Sequence, residues 1–220
     1  MIPTARLIAL TQPVEEAADL GIHTPLDLIE FAGRWDYGET SVAKMTEGNE
    51  IIGRWLDAGE ESMVEMVHAT FFITCSRVVS HELVRHRIAS YQQESQRFVS
   101  YKGADTDDLF YVPEGNEATS KAAFLFRGAY ESMALLYEQL LGMGVPKQLA
   151  RYVLPNATRT RIIATMNLRQ WRHVNLLRMH PSAQPEMQII AKQVYAALDA
   201  RFPIVFNDIP ERIAKGREAR

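Results

Sequence analysis

"VHATFFITCSRVVSHELVRHR", residues 67–87, changes its hydrophobic period halfway along, and that change decides the fold. Up to Cys75 the run is β-branched and aromatic, the composition of a strand. From Ser76 onward Val78, Val79, Glu82, Leu83 and His86 recur three and four apart, the spacing of one helical face. The same succession returns as "TRTRIIATMN" (158–167), a strand, followed at once by the helical "LRQWRHVNLLR" (168–178). Outward from these, "ARLIAL" (5–10) reads as an opening strand and "TPLDLIEFAGRW" (24–35) as a helix, with Thr24 at its N-cap and Pro25 at N1. Further helices are expected over 48–59, 116–142, 146–154 and 184–202, with "YQQESQRFVSY" (91–101) extended and "GADTDD" (103–108) an acidic loop. No repeat or linker divides the chain, and no Gly-x-Gly-x-x-Gly follows a strand. The expectation is α/β of the α+β kind, one domain over 1–220, with an antiparallel or mixed sheet flanked by helices.

The composition is that of a soluble globular protein, 47% hydrophobic and 23% charged in 220 residues. No apolar run approaches the ~20 residues of a membrane span, and the N-terminus lacks a basic, cleavable leader, so a cytoplasmic location is expected. The single cysteine, Cys75, rules out an intrachain disulfide and reads as a core residue of its strand. Trp35, Trp55 and Trp171 read as packing residues, and Met133 and Met143 as core filler.

Charge is segregated. From residue 139 to 185 there is no Asp or Glu, while Lys147, Arg151, Arg159, Arg161, Arg169, Arg172 and Arg178 all fall there. Those seven positive charges leave ten net negative on the rest of a chain whose total is −3. Six of the seven are arginine, whose planar fork suits phosphate and carboxylate. A nucleotide or multi-phosphate ligand explains this pooling better than a solvated basic face. The acidic remainder argues against long nucleic acid as a partner.

The same chemistry concentrates in "RHRIASYQQES" (85–95) with Arg97 beyond it. On a helix over 76–87, Glu82 and Arg85 share a face, and Glu82 can orient Arg85 or accept from a ligand N–H. On an extended backbone Tyr91, Gln93, Ser95 and Arg97 point the same way, offering an amide for a base edge and a hydroxyl and guanidinium for phosphate. Ser95 has no general base beside it in sequence and reads as a binding residue rather than a nucleophile. His86, between Arg85 and Arg87, is expected to be neutral at neutral pH and has no partner at a metal-ligand spacing. A hydrogen-bonded helix–strand corner with surface ion pairs is the competing account of this stretch.

Arg-His-Arg, seven residues, then Ser resembles the signature of the flavin-dependent thymidylate synthases. Three further segments resemble that family in the same order: "GEESMVEM" (59–66), "VPKQLARYVLP" (145–155) and "MNLRQWRHVNLLRMHPSAQPEMQ" (166–188). The resemblance spans roughly residues 59 to 190 and implies a twisted sheet with helices, a homotetramer, and active sites shared between subunits. It implies methylation of dUMP to dTMP with 5,10-methylenetetrahydrofolate as carbon donor and NADPH-reduced FAD as electron source.

Carried over residue by residue, Ser62, Arg85, His86, Arg87, Gln93, Asn167, Arg169 and His173 match flavin-contacting positions. Glu82, Arg85, Gln93, Glu94, Ser95, Gln96, Arg97, Arg151 and Arg178 match positions that hold dUMP. Arg178 is the catalytic candidate, a permanent cation against a pyrimidine that must become electron-rich at C5. The chain departs from the family pattern at Glu60 and Met66, where many members carry histidine. It departs from some members at Glu82, where they have glutamine, and at Gln93, where they have an acid. The alternatives are a non-catalytic nucleotide- or RNA-binding module using the same arginines, and a different flavoprotein on the same scaffold.

Overall fold

A computed structural model describes residues 1–38, 50–113 and 117–218. In it β1 (Thr4–Leu10) pairs with β2 (His68–Ser76), β2 with β4 (Arg159–Asn167), and β4 with the short β3 (Ser90–Gln93). All three pairings are antiparallel, which settles the expected choice between antiparallel and mixed. The β2–β4 ladder runs without a slip from His68↔Asn167 to Ser76↔Arg159. Its register puts Ala69, Phe71, Ile73 and Cys75 on the same buried face as Ile162, Ala164 and Met166. Thr70, Phe72, Thr74, Ile163 and Thr165 alternate onto the opposite, half-exposed face.

The buried face is covered by helices α7 (Leu168–Arg178) and α8 (Pro185–Asp199), whose Trp171, Val174, Met187, Ile190 and Val194 complete the main core. Trp171 is fully buried, edge-on to Phe71, and its Nε1–H donates to the Ala69 carbonyl at 3.0 Å. Each ladder strand runs straight into a helix because its last residue is a cap. Ser76 Oγ accepts from the Val79 N–H at the start of α3 (Arg77–Leu83), and Asn167 Oδ1 accepts from the Gln170 N–H at the start of α7.

Ser76 is also gripped by a buried carboxylate. Glu186 accepts from its N–H at 2.7 Å and its Oγ–H at 2.6 Å, tying the first turn of α8 to the β2–α3 junction. Burial pushes the Glu186 pKa up, against the opposing effect of these two hydrogen bonds.

Helix α1 (Pro25–Asp36) opens as expected, with Thr24 at the N-cap and Pro25 at N1, and Asp27 completes a capping box. It packs near α2 (Glu50–Asp57), the described part of the helix expected over 48–59; residues 48 and 49 lie outside the described residues. A second apolar cluster lies away from the main one, built from Tyr101, Leu109, Phe110, Tyr130, Tyr137 and Ala150. Its elements are α4 (Thr106–Leu109), α5 (Glu117–Gly142) and α6 (Lys147–Ala150). The chain ends in α9 (Pro203–Phe206) and α10 (Ile209–Glu218).

Four expectations are corrected. The helix expected to reach Arg87 stops at Leu83, where the Tyr91 hydroxyl lies 2.7 Å and 2.8 Å from the Leu83 and His86 carbonyls and takes the place of further helical donors. The stretch 91–101 is extended only to Gln93. Beyond it the Phe98 and Val99 N–H groups both donate to the Ser95 carbonyl, so Ser95 and Arg97 leave the strand and no longer share a face with Tyr91. The acidic loop contains α4, capped by the Asp105 side chain on the Asp107 N–H. Met143, at 81% exposure, and Trp35, at 59%, lie at the surface rather than in the core.

Gly33 sits where α1 meets Trp55, and a Cβ there would fall inside the indole ring's van der Waals envelope. Gly33→Ala should therefore lower stability by about 1–3 kcal/mol, the usual range for overpacking. Chemical denaturation is the check, and an unchanged midpoint would mean that α1 and α2 can separate without cost.

Candidate active site

The antiparallel ladder sends α3 and α7 off opposite ends of the sheet. Yet α7 turns back along the sheet for eleven residues, about 16 Å. Its C-terminal residue, Arg178, thus arrives at the end of α3. There Arg178 Nη1 donates to Glu82 at 2.8 Å, and Nε–H donates to His86 Nε2 at 3.2 Å. Glu82 therefore orients Arg178, not Arg85 as the helical spacing suggests; Arg85 lies past the helix end and is exposed. His173 stands edge-on to His86 with ring centroids 5.7 Å apart. Burial, then the Arg178 charge, then His173 lower the His86 pKa to about 4, so it is neutral at pH 7. Neutrality was expected from Arg85 and Arg87, but its causes are burial and α7.

Beside this cluster α7 lines a cleft of about 500 Å³, with Asn167, Arg169, Gln170, Arg172 and His173 on one wall. Glu61, Glu65, Ile88, Leu176 and Arg212 complete the lining. Arg169 is half-exposed and paired with Glu65 at 2.5 Å and Glu61 at 3.6 Å. Arg172 is buried, bonded to both carboxylate oxygens of Asp208 at 2.7 and 2.8 Å, to Glu61 at 3.3 Å, and to the Val205 carbonyl. Three arginines against two glutamates leave the lining positive by one. Glu60 turns away and accepts from the Tyr37 hydroxyl at 2.7 Å. Ser62, exposed at the turn before Met63, is not among the cleft's lining residues.

A second hollow, of about 360 Å³, opens on the half-exposed sheet face between Phe72, Phe98, Arg161 and Ile163. Gln93, Glu94 and Ser95 line it. Gln93 Nε2 is held by Ser80 Oγ at 2.9 Å and Thr160 Oγ1 at 3.1 Å. The Glu94 carboxylate accepts from Tyr101 at 2.8 Å and Arg161 at 3.3 Å, an orientation that sequence spacing did not suggest. Ser95 Oγ accepts from the Arg97 N–H at 3.3 Å, and the Arg97 guanidinium lies 5.4 Å from the Phe98 ring centroid. Gln96 is half-buried beside them, and Arg87 is exposed. Arg151 stands apart in a 3-10 turn (Arg151–Val153), its Nε–H on the Gln148 carbonyl.

The structure thus brings together Glu82, His86, His173 and Arg178, next to Asn167 and Arg169. It gathers Gln93, Glu94 and Ser95 in the other hollow. Gln170, Glu61, Glu65 and Arg172 were missed as lining residues. Gln170 could have been found, since it lies three residues before His173 and eight before Arg178, on their side of the helix.

Cys75 is fully buried, and burial pushes its thiol pKa far up, so it offers no thiolate. Among the described residues no group of three His, Cys, Asp or Glu side chains converges as for a metal ion. No helix among them is long and apolar enough to cross a membrane.

The fold and these clefts define an α+β protein with two arginine-lined hollows, whose arginines are paired with the chain's own carboxylates. Residues 20–204 match the family model described as "Thymidylate synthase complementing protein". Flavin-dependent thymidylate synthases of Geobacter sulfurreducens and Thermococcus onnurineus are 35% and 36% identical over 195 and 174 residues. Those matches cover 84% and 76% of this chain, and 83% and 71% of the relatives. A crystal structure of the UMP/dUMP methylase PolB from Streptomyces cacaoi, bound with 5-Br dUMP, shares the fold with a TM-score of 0.78. It is 22% identical and aligns over 95% of each chain. The chain belongs to the flavin-dependent thymidylate synthase family.

Burial alone would raise the Asp208 pKa, but hydrogen bonding and charge from Arg172 and Arg212 outweigh it and hold the pKa below the usual 3.8. A depressed carboxylate stabilises the fold above its unfolded pKa, and that contribution disappears as pH falls through the lower folded value. Arg172→Met should cost about 3–5 kcal/mol at pH 7, by leaving Asp208 and Glu61 without their buried partner. It should also flatten the loss of stability below pH about 4 that Asp208 gives the wild type. Urea titrations at pH 7 and pH 3 test both effects; a variant with the wild-type acid limb would show that Asp208 does not depend on Arg172.

Proposed function

We propose that this chain is a flavin-dependent thymidylate synthase that methylates dUMP to dTMP for de novo dTMP biosynthesis. Its carbon donor is 5,10-methylenetetrahydrofolate, and its electrons come from NADPH through FAD. The observation that carries the reading is Arg178, fixed by Glu82 and neutral His86 at the edge of an arginine-lined cleft.

FAD suits that cleft in kind, since Arg169 offers a half-exposed guanidinium, with the Asn167 amide and the His173 ring beside it. When bound, FAD supplies the reducing electrons that the methylene group needs to become a methyl. Ser62, Arg85, Arg87 and Gln93 join Asn167, Arg169 and His173 as its contacts. His86 is 6% exposed with Nε2 occupied by Arg178, so it serves the flavin side through its neighbours.

The chain's own chemistry is positioning and charge. The Arg178 fork faces the pyrimidine and stabilises negative charge on it as C5 becomes nucleophilic. Glu82 holds the guanidinium in place and keeps an oxygen for a substrate donor. Buried, protonated Cys75 cannot serve as the attacking thiol, which favours a flavin route over an enzyme–thiol adduct.

The remaining dUMP positions, Gln93, Glu94, Ser95, Gln96, Arg97 and Arg151, lie in the second hollow or apart from Arg178. That separation supports active sites shared between subunits of a homotetramer. Exposed Phe98 and Tyr152, at 71% and 81%, fit a surface that another copy covers. The whole chain, 1–220, acts as one synthase domain in the cytoplasm, with no nucleic acid or membrane partner. Glu94 lies among these positions with its carboxylate held by Tyr101 and Arg161.

The test is optical, then kinetic. Protein mixed with FAD and desalted should keep a flavin band that shifts when dUMP is added. Arg178→Lys, which keeps the charge and loses the fork, should retain flavin while turnover falls about 100-fold, the scale of losing one transition-state donor. A colourless protein, or wild-type turnover in the variant, would overturn the reading.

A further inference from the structure

The hydrogen bond from Arg178 has a consequence for the far side of the imidazole. Arginine Nε–H only donates, so His86 Nε2, 3.2 Å away, presents a lone pair. A neutral imidazole then carries its single proton on Nδ1. That Nδ1 lies 3.5 Å from the side-chain amide of Gln170, which is itself 8% exposed. An Nδ1–H there needs an acceptor, and the two ends of a glutamine amide are equal in shape. The amide nitrogen is the end that lies 3.5 Å from Nδ1; the proton on Nδ1 requires the amide to be turned over, with its oxygen toward the ring.

The main chain fixes where that amide starts. Gln170 is in the first turn of α7, its own N–H capped by Asn167 Oδ1 at 2.8 Å. Two turns later the same helix supplies Arg178, so one rigid element holds both partners of the ring.

We infer that Gln170 is a positioning residue, whose amide oxygen fixes His86 in the Nδ1–H tautomer and thereby keeps Nε2 free to orient Arg178. The tautomer stands on the geometry of this site alone; its effect on the substrate rests on the reading of Arg178 as the pyrimidine-facing group.

Free histidine favours the opposite tautomer, which would set an Nε2–H against the Arg178 donor and push the guanidinium away. The charged and titratable groups around the ring are Arg178 and His173 from α7 and Glu82 from α3, with exposed Arg85 and Arg87 adjoining it in the chain. Burial, Arg178 and His173 disfavour the imidazolium, and the tautomer is then set by the Arg178 donor at Nε2 together with the group that faces Nδ1.

Selective ¹⁵N-histidine labelling of the full chain, with His86→Gln to assign the signal, reads the tautomer directly. The expected result is protonated Nδ1 and bare Nε2 at pH 7; a protonated Nε2 overturns the inference, whether or not the protein turns over dUMP.

Gln170→Glu then tests the consequence. A carboxylate on Nδ1–H raises the His86 pKa, so as pH falls the ring becomes an imidazolium whose Nε2–H expels Arg178. The KM for dUMP should rise about tenfold or more at pH 6, the loss of one charge-assisted hydrogen bond, and return toward wild type at pH 9. Gln170→Met should raise KM alike at both pH values, with the flavin band read in parallel. A Gln170→Glu profile that superposes on the wild type overturns the role. Should that variant fail to fold, the wild-type tautomer decides.

Discussion

The β2–β4 ladder is the constraint from which the rest follows. Nine residues pair with nine without a bulge, and each strand ends in a residue that caps the next helix. With register and caps fixed, α3 and α7 have no freedom over where they begin. The antiparallel sense puts those beginnings at opposite ends of the sheet, and the length of α7 alone brings Arg178 back to Glu82. A one-residue slip of the ladder would send Phe71 and Ile73 to the open face and move both caps. Site geometry and core packing are thus specified by the same contacts.

Electrostatics in the cleft are arranged in two layers. Arg172 is sunk beneath the surface and already neutralised by Asp208 and Glu61, so it shapes the wall and holds α10's neighbour residue in place. Arg169 stands above it, half-exposed, with carboxylates as provisional partners. The ring of His86 is the opposite case, a titratable group made uncharged so that it can accept. Positive charge is offered at the rim, and hydrogen-bonding direction is set underneath.

Much of this was legible in the residues. The period change at Ser76 and its repeat at Asn167 marked both strand-to-helix junctions. The N-cap at Thr24 was visible, and the arginine segregation pointed to an anion. The features that escaped are those made by tertiary contact. Nothing local in 76–87 predicts that Tyr91 will stop the helix at Leu83. The alternation from Tyr91 to Arg97 looked like a strand because β-pattern and turn share the same polar residues here, and only the Ser95 carbonyl's two donors reveal the turn. The Glu82–Arg178 pair joins residues 96 positions apart, beyond any reading of spacing. Glu61 and Glu65 were hidden for the same reason, since they meet Arg169 only after α7 has folded across the sheet.

The provisional partners of Arg169 bear on how a ligand would be felt by the surrounding solution. A phosphate that arrives there displaces Glu65 rather than a shell of small ions, so one protein anion is exchanged for one ligand anion. Few mobile counterions are released in such a swap, and added salt weakens the old pair as well as the new one. Affinity at this cleft would then vary gently with ionic strength, although the segment that forms its wall is the most basic of the chain.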